Sequence, residues 1–408
     1  MTGNENKNKN SVERVFSEIQ TQGPIMRREI QNNTGLSWGA VSTVTSNLIK
    51  AGLVFESETD MGTVGRRPQE VDINVNDHFF LGIDLNFTGL IAVAIDLKGN
   101  VIKSRVSAML KNNYEYVLDS LFQMLDYMIN RELAGYHFLG VGIAVQGVVD
   151  RKNGISCYCP YFANWDNVPL KSLVEEKFNI QTFIYHDPVC VLQAERYFDE
   201  PVRALDSGNV IVIRFDKGIG MSMMFNSEIY EGATGIAGEI GHSIVKLEGA
   251  LCSCGKRGCL ESYASMNGLV QRFYEAVNEG EKTCIEGIYN CSYETLASYA
   301  SKGDPLCLEL FANAGRYIGY ALANLIGMLE PDVIILYGKI IEQSDLFEKE
   351  MRRVVKENIW PVYKTKIVLS QLGGDAPAAG AAHMGLKEIV NDFVMKEIER
   401  KLLQNEVS

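Results

Sequence analysis

His242 stands ten residues before the run Cys252-Ser-Cys254-Gly-Lys-Arg-Gly-Cys259. One imidazole and three thiolates make a closed tetrahedral donor set of the kind that holds structural Zn2+, with no position left for a catalytic water. Gly255 and Gly258 let the backbone turn between the sulfurs. The alternative is three buried or unligated thiols brought together by chance, but three cysteines within eight residues, with glycines between them, favour a metal. Cys157, Cys159, Cys190, Cys284, Cys291 and Cys307 show no such spacing and are expected to be packing residues. Upstream runs Gly232-Ala-Thr-Gly-Ile-Ala-Gly-Glu239-Ile-Gly-His242, and Glu261 follows Cys259-Leu260 directly. A metal that pins His242 also fixes Glu239 and, through Cys259, Glu261. Carboxylates on a rigid support suit a polyol, because each accepts hydrogen bonds from hydroxyls while an imidazole accepts or donates one. Asp187, in Ile-Tyr-His186-Asp187-Pro188, follows an apolar strand pattern over Thr182 to Tyr185. Open sheets bind ligands at such strand ends. A lone Asp there also serves as a helix cap.

The elements that must position these groups recur. Phe79 to Leu85, Leu90 to Asp96 and Val101 to Ala108 are expected to form a three-stranded meander, followed by a helix near Tyr114 to Asn130 and a strand at Phe138 to Val145. Val210 to Phe215, Met221 to Phe225 and Glu228 to Tyr230 repeat the meander, with helices and a strand at Val333 to Leu336 after it. This is an α/β plan of two lobes on one scheme, facing each other across a cleft. Leu386 to Leu403 has the pattern of one long amphipathic helix.

The head of the chain differs. Val12, Val15, Phe16 and Ile19 recur at helical spacing and Gly23-Pro24 stops them. A short helix is expected from about Met26 to Asn33, and Ser37 is a good N-cap for a third from Trp38 to Lys50, with Val41, Val44, Leu48 and Ile49 inward. Helix, tight turn and helix make a helix-turn-helix, and strands at Leu53 to Ser57 and Gln69 to Ile73 would add a wing around Gly62 to Pro68. For DNA the candidates are Arg27 and Arg28 beside the helix pair, Ser37, Trp38, Ser42, Thr43, Ser46 and Asn47 on the third helix, and Arg66 and Arg67 at the wing tip. A head of this size with ordinary surface arginines can instead bind a protein.

Composition bounds these readings. The 408 residues imply two or three domains, and 46% hydrophobic with 22% charged residues excludes wholesale disorder, collagen and coiled coil. There is no 18-residue apolar run and no apolar stretch near the N-terminus, so neither a membrane span nor a secretory signal is expected, and the cytoplasm is the expected compartment. The net charge of -12 argues against coating nucleic acid by bulk attraction. Residues 1–75, however, hold 8 Lys and Arg against 9 Asp and Glu, so almost all of the negative charge belongs to the rest.

The combination Ala-Gly-Glu239-Ile-Gly-His242, Cys252-Ser-Cys-Gly-Lys-Arg-Gly-Cys-Leu-Glu261, a helix-turn-helix head ending in Gly65-Arg-Arg-Pro68, and Gly82-Ile-Asp-Leu-Asn86 resembles the ROK family of repressors, open reading frames and sugar kinases. The likeness runs from about Asn10 to Leu386 and is strongest to the repressor branch that includes the N-acetylglucosamine and xylose repressors. It implies a winged helix-turn-helix at 1–75 followed by a two-lobed actin-like, ribonuclease H-like body. The first lobe would be 76–190 joined by part of 386–408, and the second 191–385 with the zinc site. It further implies zinc on His242, Cys252, Cys254 and Cys259, and a sugar pocket from His186, Asp187, Glu239, His242 and Glu261, with His186 standing where kinase members usually have Asn. In kinase members the residue matching Asp187 is the general base; here it would be vestigial. The family's phosphate loops are rich in glycine, whereas this chain has Asp84-Leu-Asn-Phe-Thr88, Asp216-Lys-Gly218 and Tyr337-Gly-Lys339. The resemblance therefore implies a non-enzymatic repressor of carbohydrate genes, relieved by a sugar or sugar phosphate. It would bind operator DNA as a homodimer, with a tetramer left open, and no membrane; the C-terminal helix is expected to carry motion to the head. An active ATP-dependent sugar kinase with an appended head, and a regulator governed by a protein partner, stand as the rivals.

Overall fold

A computed structural model describes residues 3–58, 69–198, 208–233, 235–339 and 345–406. It divides into two compact units, one of Met1–Gln193 with Asp375–Ser408 and the other of Ala194–Gly374.

The first unit opens with α1 (Gly3–Gln22), β1 (Ile25–Met26), α2 (Arg27–Thr34), α3 (Trp38–Lys50), β2 (Val54–Glu58) and β3 (Gln69–Ile73). Val12, Val15, Phe16 and Ile19 are buried on one stripe of α1. The Ser37 hydroxyl accepts the Ala40 N–H at 3.3 Å and starts α3. Its inward face is Val41, Val44, Thr45 and Leu48; Ile49 is only half-buried because a 3.6-residue period places position 45 nearer the core than 49. β3 lies between β1 and β2, all antiparallel.

Beyond the head come β4 (His78–Asn86), β5 (Gly89–Asp96), β6 (Val101–Ala108), α4 (Tyr114–Tyr127), β7 (His137–Val145), a small sheet of β8 (Val148–Asp150), β9 (Ile155–Tyr158) and β10 (Asp166–Val168), then α5 (Leu170–Phe178), β11 (Thr182–His186) and α6 (Asp187–Phe198). The main sheet has the order β11-β7-β4-β5-β6, with β4, β5 and β6 antiparallel to one another and β4, β7 and β11 parallel. The tight β4–β5 and β5–β6 turns force antiparallel pairing, whereas α4 and α5 supply the crossovers that parallel strands need.

The second unit repeats this order. Its strands are β12 (Val210–Phe215), β13 (Ile219–Phe225), β14 (Glu228–Ile229), β15 (Val333–Tyr337) and β16 (Lys366–Leu369), arranged β14-β13-β12-β15-β16. β12 to β14 are antiparallel in sequence and β12, β15 and β16 parallel. One strand order with the same orientations in both units is the duplicated lobe of the ribonuclease H-like, actin-like fold.

The C-terminal helix requires a correction. It starts at Ala376, ten residues before Leu386, and runs to Glu406, so residues 375–385 belong to the first unit rather than the second. Ala376-Pro-Ala-Ala-Gly-Ala-Ala has no apolar periodicity, because here the small side chains themselves make the contact. Added Cβ atoms on Gly82 and Gly142 would collide with the carbonyls of Ala378 and Ala381. Further along, Leu386, Ile389, Val390 and Val394 enter one core with Phe16, Ile19 and Leu48 of the head and with Phe80 and Val93 of the sheet. The head is thus packed into the first unit.

His383 is buried on this helix, and burial pushes its imidazole down to about 3 from the usual 6.5. The folded chain therefore keeps it neutral while the unfolded chain protonates it below pH 6.5, so its contribution to stability is present above that pH and is lost as pH falls toward 3. At pH 5 the loss is about 2 kcal/mol. Chemical denaturation of the wild type and His383→Gln between pH 7 and 5 should give a steeper fall for the wild type; equal slopes would contradict this assignment.

Candidate functional site

The four metal-type side chains converge. Their ligand atoms lie within 4.8 Å of one another, on His242 of a short turn (Ile240–His242) and on Cys252, Cys254 and Cys259 of the loop after it. His242 Nδ1 is 3.6 Å from Cys252 Sγ, and Cys254 Sγ is 3.7 Å from Cys259 Sγ. A tetrahedral ion with metal–sulfur bonds near 2.3 Å and metal–nitrogen near 2.05 Å has edges of about 3.8 and 3.6 Å, which these two pairs match, and the full set needs only a small contraction to close around a metal. The loop is held by its backbone. Gly258, at φ 80°, accepts the Val245 N–H and donates to Ala250, and a Cβ there would strike the Lys246 carbonyl. The Tyr263 hydroxyl adds a 2.6 Å hydrogen bond from the Ala250 N–H. Burial pushes the Cys252 thiol up, but hydrogen bonds from the Cys254 backbone and the Ser262 hydroxyl outweigh it and hold it at about 7. Burial and the neighbouring thiols push Cys259 up to about 12. A cation among the sulfurs would offset the charge of their thiolates.

The carboxylates are fixed on this support. His242 turns Nδ1 to the cysteines and Nε2 toward Glu239, whose Oε2 is 3.8 Å away. Glu261 opens the helix Glu261–Ala264, accepting the Ile219 N–H at 3.1 Å on one oxygen and the Ser253 hydroxyl at 3.3 Å on the other. Neither contact is legible in the sequence, since Ile219 lies 42 residues away and donates through its backbone.

In the first unit, His186 ends β11 and Asp187 begins α6, with His186 Nε2 3.5 Å from Asp187 Oδ1 and Asp187 only 5% exposed. Its charge reaches Cys159, whose thiol burial raises first and Asp187 raises further, to about 11. One residue before His186, the Tyr185 hydroxyl donates to Glu388 of the C-terminal helix at 2.8 Å, and Arg151 approaches the same carboxylate at 2.6 Å. Nothing in the spacing of Tyr185 and Glu388 announces that pairing.

At the β4–β5 and β12–β13 turns, side chains engage the backbone. At the β4–β5 turn, Asn86 Oδ1 accepts the backbone N–H groups of Thr88 and Gly89 at 2.9 and 3.1 Å and the Thr88 hydroxyl at 2.6 Å. Asn86 Nδ2 donates to Asp84 at 2.8 Å. The backbone N–H groups of this turn are thus engaged internally. At the second loop, Asp216 accepts the Lys217 N–H at 2.9 Å and stands 3.4 Å from the Arg214 guanidinium.

On the head, Trp38 is 52% exposed, Arg28, Ser37 and Thr43 are exposed, and Ser42, Ser46 and Asn47 are half-buried on the same helix pair. Arg27 is different. Its guanidinium lies 2.5 Å from Glu56 on β2 and donates at 2.8 Å to the buried Thr45 hydroxyl, so it clamps the wing strand to α3. Arg66 and Arg67 lie outside the described residues.

Residues 80–388 match the ROK family. The xylose repressor of Bacillus spizizenii is 30% identical over 380 residues, covering 92% of this chain and 95% of that one. The DNA-binding transcriptional dual regulator NagC of Escherichia coli is 26% identical over 391 residues, 94% of each. Among solved structures, a ROK family transcriptional regulator that is a homolog of the E. coli MLC protein superposes with a TM-score of 0.83 at 26% identity, covering 97% of this chain and 100% of that one. A ROK family glucokinase from Streptomyces griseus reaches 0.63 at 24% identity over 75% of this chain and 98% of its own, which shows the shared body fold. With a family match over most of its length and relatives aligned end to end, the chain belongs to the ROK family.

Proposed function

We propose that this chain is a sugar-responsive DNA-binding transcriptional regulator, a repressor of carbohydrate uptake or catabolism genes that a sugar or sugar phosphate relieves. The observation that carries it is a contrast: the hydroxyl-binding groups around His242 are held in place, while Asn86 engages the amides a nucleotide phosphate would need. The names of the full-length relatives point the same way. His242, Cys252, Cys254 and Cys259 would hold Zn2+, which when bound supplies a cross-link and no reactive position. Ligation through Nδ1 leaves the His242 Nε2–H to donate to a sugar hydroxyl that Glu239 accepts, and Glu261 belongs to the same set; in the first unit, His186 and Asp187 are the proposed hydroxyl-binding groups. Asp187 is then a binding residue and not a catalytic base.

Residues 1–75 form the operator-binding head, with Arg28, Trp38, Ser42, Thr43, Ser46 and Asn47 toward DNA, Ser37 capping the helix and Arg27 setting the wing; Arg66 and Arg67 would add phosphate contacts. A homodimer presents two heads to a two-fold operator. The test is thermal unfolding in the presence of pentoses, hexoses, N-acetylhexosamines and their 6-phosphates. A ligand at a hundredfold excess over its Kd stabilises by about 2.7 kcal/mol. Asp187→Asn and Glu239→Gln should each weaken the responding sugar roughly 10- to 100-fold, the loss of one charged hydrogen-bond acceptor. No shift with any sugar, or ATP-dependent phosphorylation of a sugar at enzyme-like rates, overturns the reading.

A further inference from the structure

β6 is the edge of the first sheet and every one of its eight residues is exposed. Such an edge is a template for another strand, and natural edges carry charges that exclude the wrong partner. Between Leu97 and Tyr114 the chain has Lys98, Lys103, Arg105 and Lys111 and no acidic residue, although its net charge is -12. Register with Ala94 and Ala92 puts Lys103 and Arg105 on the α4 face, where Lys103 meets Glu132 at 2.5 Å and the Arg105 guanidinium stacks 3.7 Å from the centre of the Tyr127 ring. Glu132 answers both strand cations with a single charge. The opposite face shows Ile102 and Val106, 46% and 71% exposed. Beside the strand, Arg105, Ser107, Tyr116, Tyr127 and Arg131 line a groove of about 390 Å3, which Asp126 also lines, 3.7 Å from the Arg131 guanidinium.

These cations decide the occupant. Antiparallel two-fold pairing with a second copy requires residues of one parity to face each other, so the central registers set Lys103 opposite Arg105, Lys103 opposite itself, or Arg105 opposite itself. Like charges directly opposite are destabilising. We propose that β6 docks an extended acidic segment of a partner protein, which adds as a further strand with Asp or Glu opposite Lys103 and Arg105 and an anionic side chain in the groove. Main-chain hydrogen bonds would supply affinity, and the groove selectivity.

The test uses the full-length protein and two fluorescein-labelled octapeptides, one alternating Val and Glu and one alternating Val and Lys. The acidic peptide should bind roughly tenfold tighter or better than the basic one, as expected when two cross-strand pairs change from like to opposite charge. It should also slow amide exchange within residues 101–108. The Lys103→Gln, Arg105→Gln double variant should lose this preference while keeping a cooperative melt, because it removes both cations from the strand surface without setting a new carboxylate against Glu132. Equal binding of the two peptides, or unaltered exchange over 101–108, overturns the proposal. So does a native oligomer that the double variant splits, since that assigns the edge to a second copy.

Discussion

Removing residues 386–408 is expected to unfold the first unit rather than to disconnect a movable arm. Leu386, Ile389, Val390 and Val394 are 1, 3, 1 and 0% exposed. They share one core with Phe16, Leu48, Phe80 and Val93, which come from the head and the central sheet. Truncating a single buried Leu or Ile to Ala costs about 2–5 kcal/mol, so losing four large aliphatic side chains together reaches the whole net stability of about 5–15 kcal/mol of an ordinary domain. The chain ending at residue 385 should therefore lose slow amide exchange throughout residues 78–186 while residues 210–337 of the second unit keep it, and the chain ending at 394 should keep it in both. Slow exchange retained over residues 78–186 in the shorter chain would remove the helix from the core. Through Glu388 on Tyr185, the same helix also reaches the residue next to His186 and Asp187. If the end of β11 binds ligand as proposed, this helix is a packed route from it to the head.

Metal removal carries the second large effect. The loop from Ser243 to Cys259 is tied by a few turn hydrogen bonds and by isolated bridges at Ile244–Cys259 and Leu251–Arg257. It exposes Ile244, Leu247 and Leu251 at 57, 85 and 54%, so apolar burial does little to hold it. Structural zinc contributes about 10–16 kcal/mol in isolated peptides, and part of that is expected to be folding energy of this loop. Chelation, or Cys259→Ser, should lower the melting temperature and abolish the sugar-induced shift together, because His242 and Glu261 lose the support that fixes their geometry. Elemental analysis should find one zinc per chain before chelation and none after. Intact sugar affinity in the zinc-stripped protein would separate the metal from the pocket.

The parts legible in the sequence were those set by short spacing. The Cys and His cluster, the Ser37 cap, the stripe of Val12, Val15, Phe16 and Ile19, and the strand runs of both lobes depend on residues within one or two turns of each other, so local pattern reaches them. The resemblance to a known family supplied the expected role of Asp187, which spacing alone leaves open between ligand and cap.

What required tertiary structure depended on residues far apart in the chain. Ala376 to Gly385 has no periodicity to read, and becomes the base of the C-terminal helix only because Gly82 and Gly142 let its backbone approach the sheet. Arg27 looks like a DNA contact until Glu56 and Thr45 are placed against it. Val101 to Ala108 resembles any half-buried strand, yet lies at an edge where all its side chains reach solvent, because the sheet order, and not the strand's own sequence, decides which strand has no neighbour. By itself the sequence determined which groups have the donor types and local spacing that metal and polyol chemistry need, since both are properties of the chain. Only the tertiary structure decided which of the other polar groups are engaged internally and which face solvent, since that depends on partners brought together from tens to hundreds of residues away.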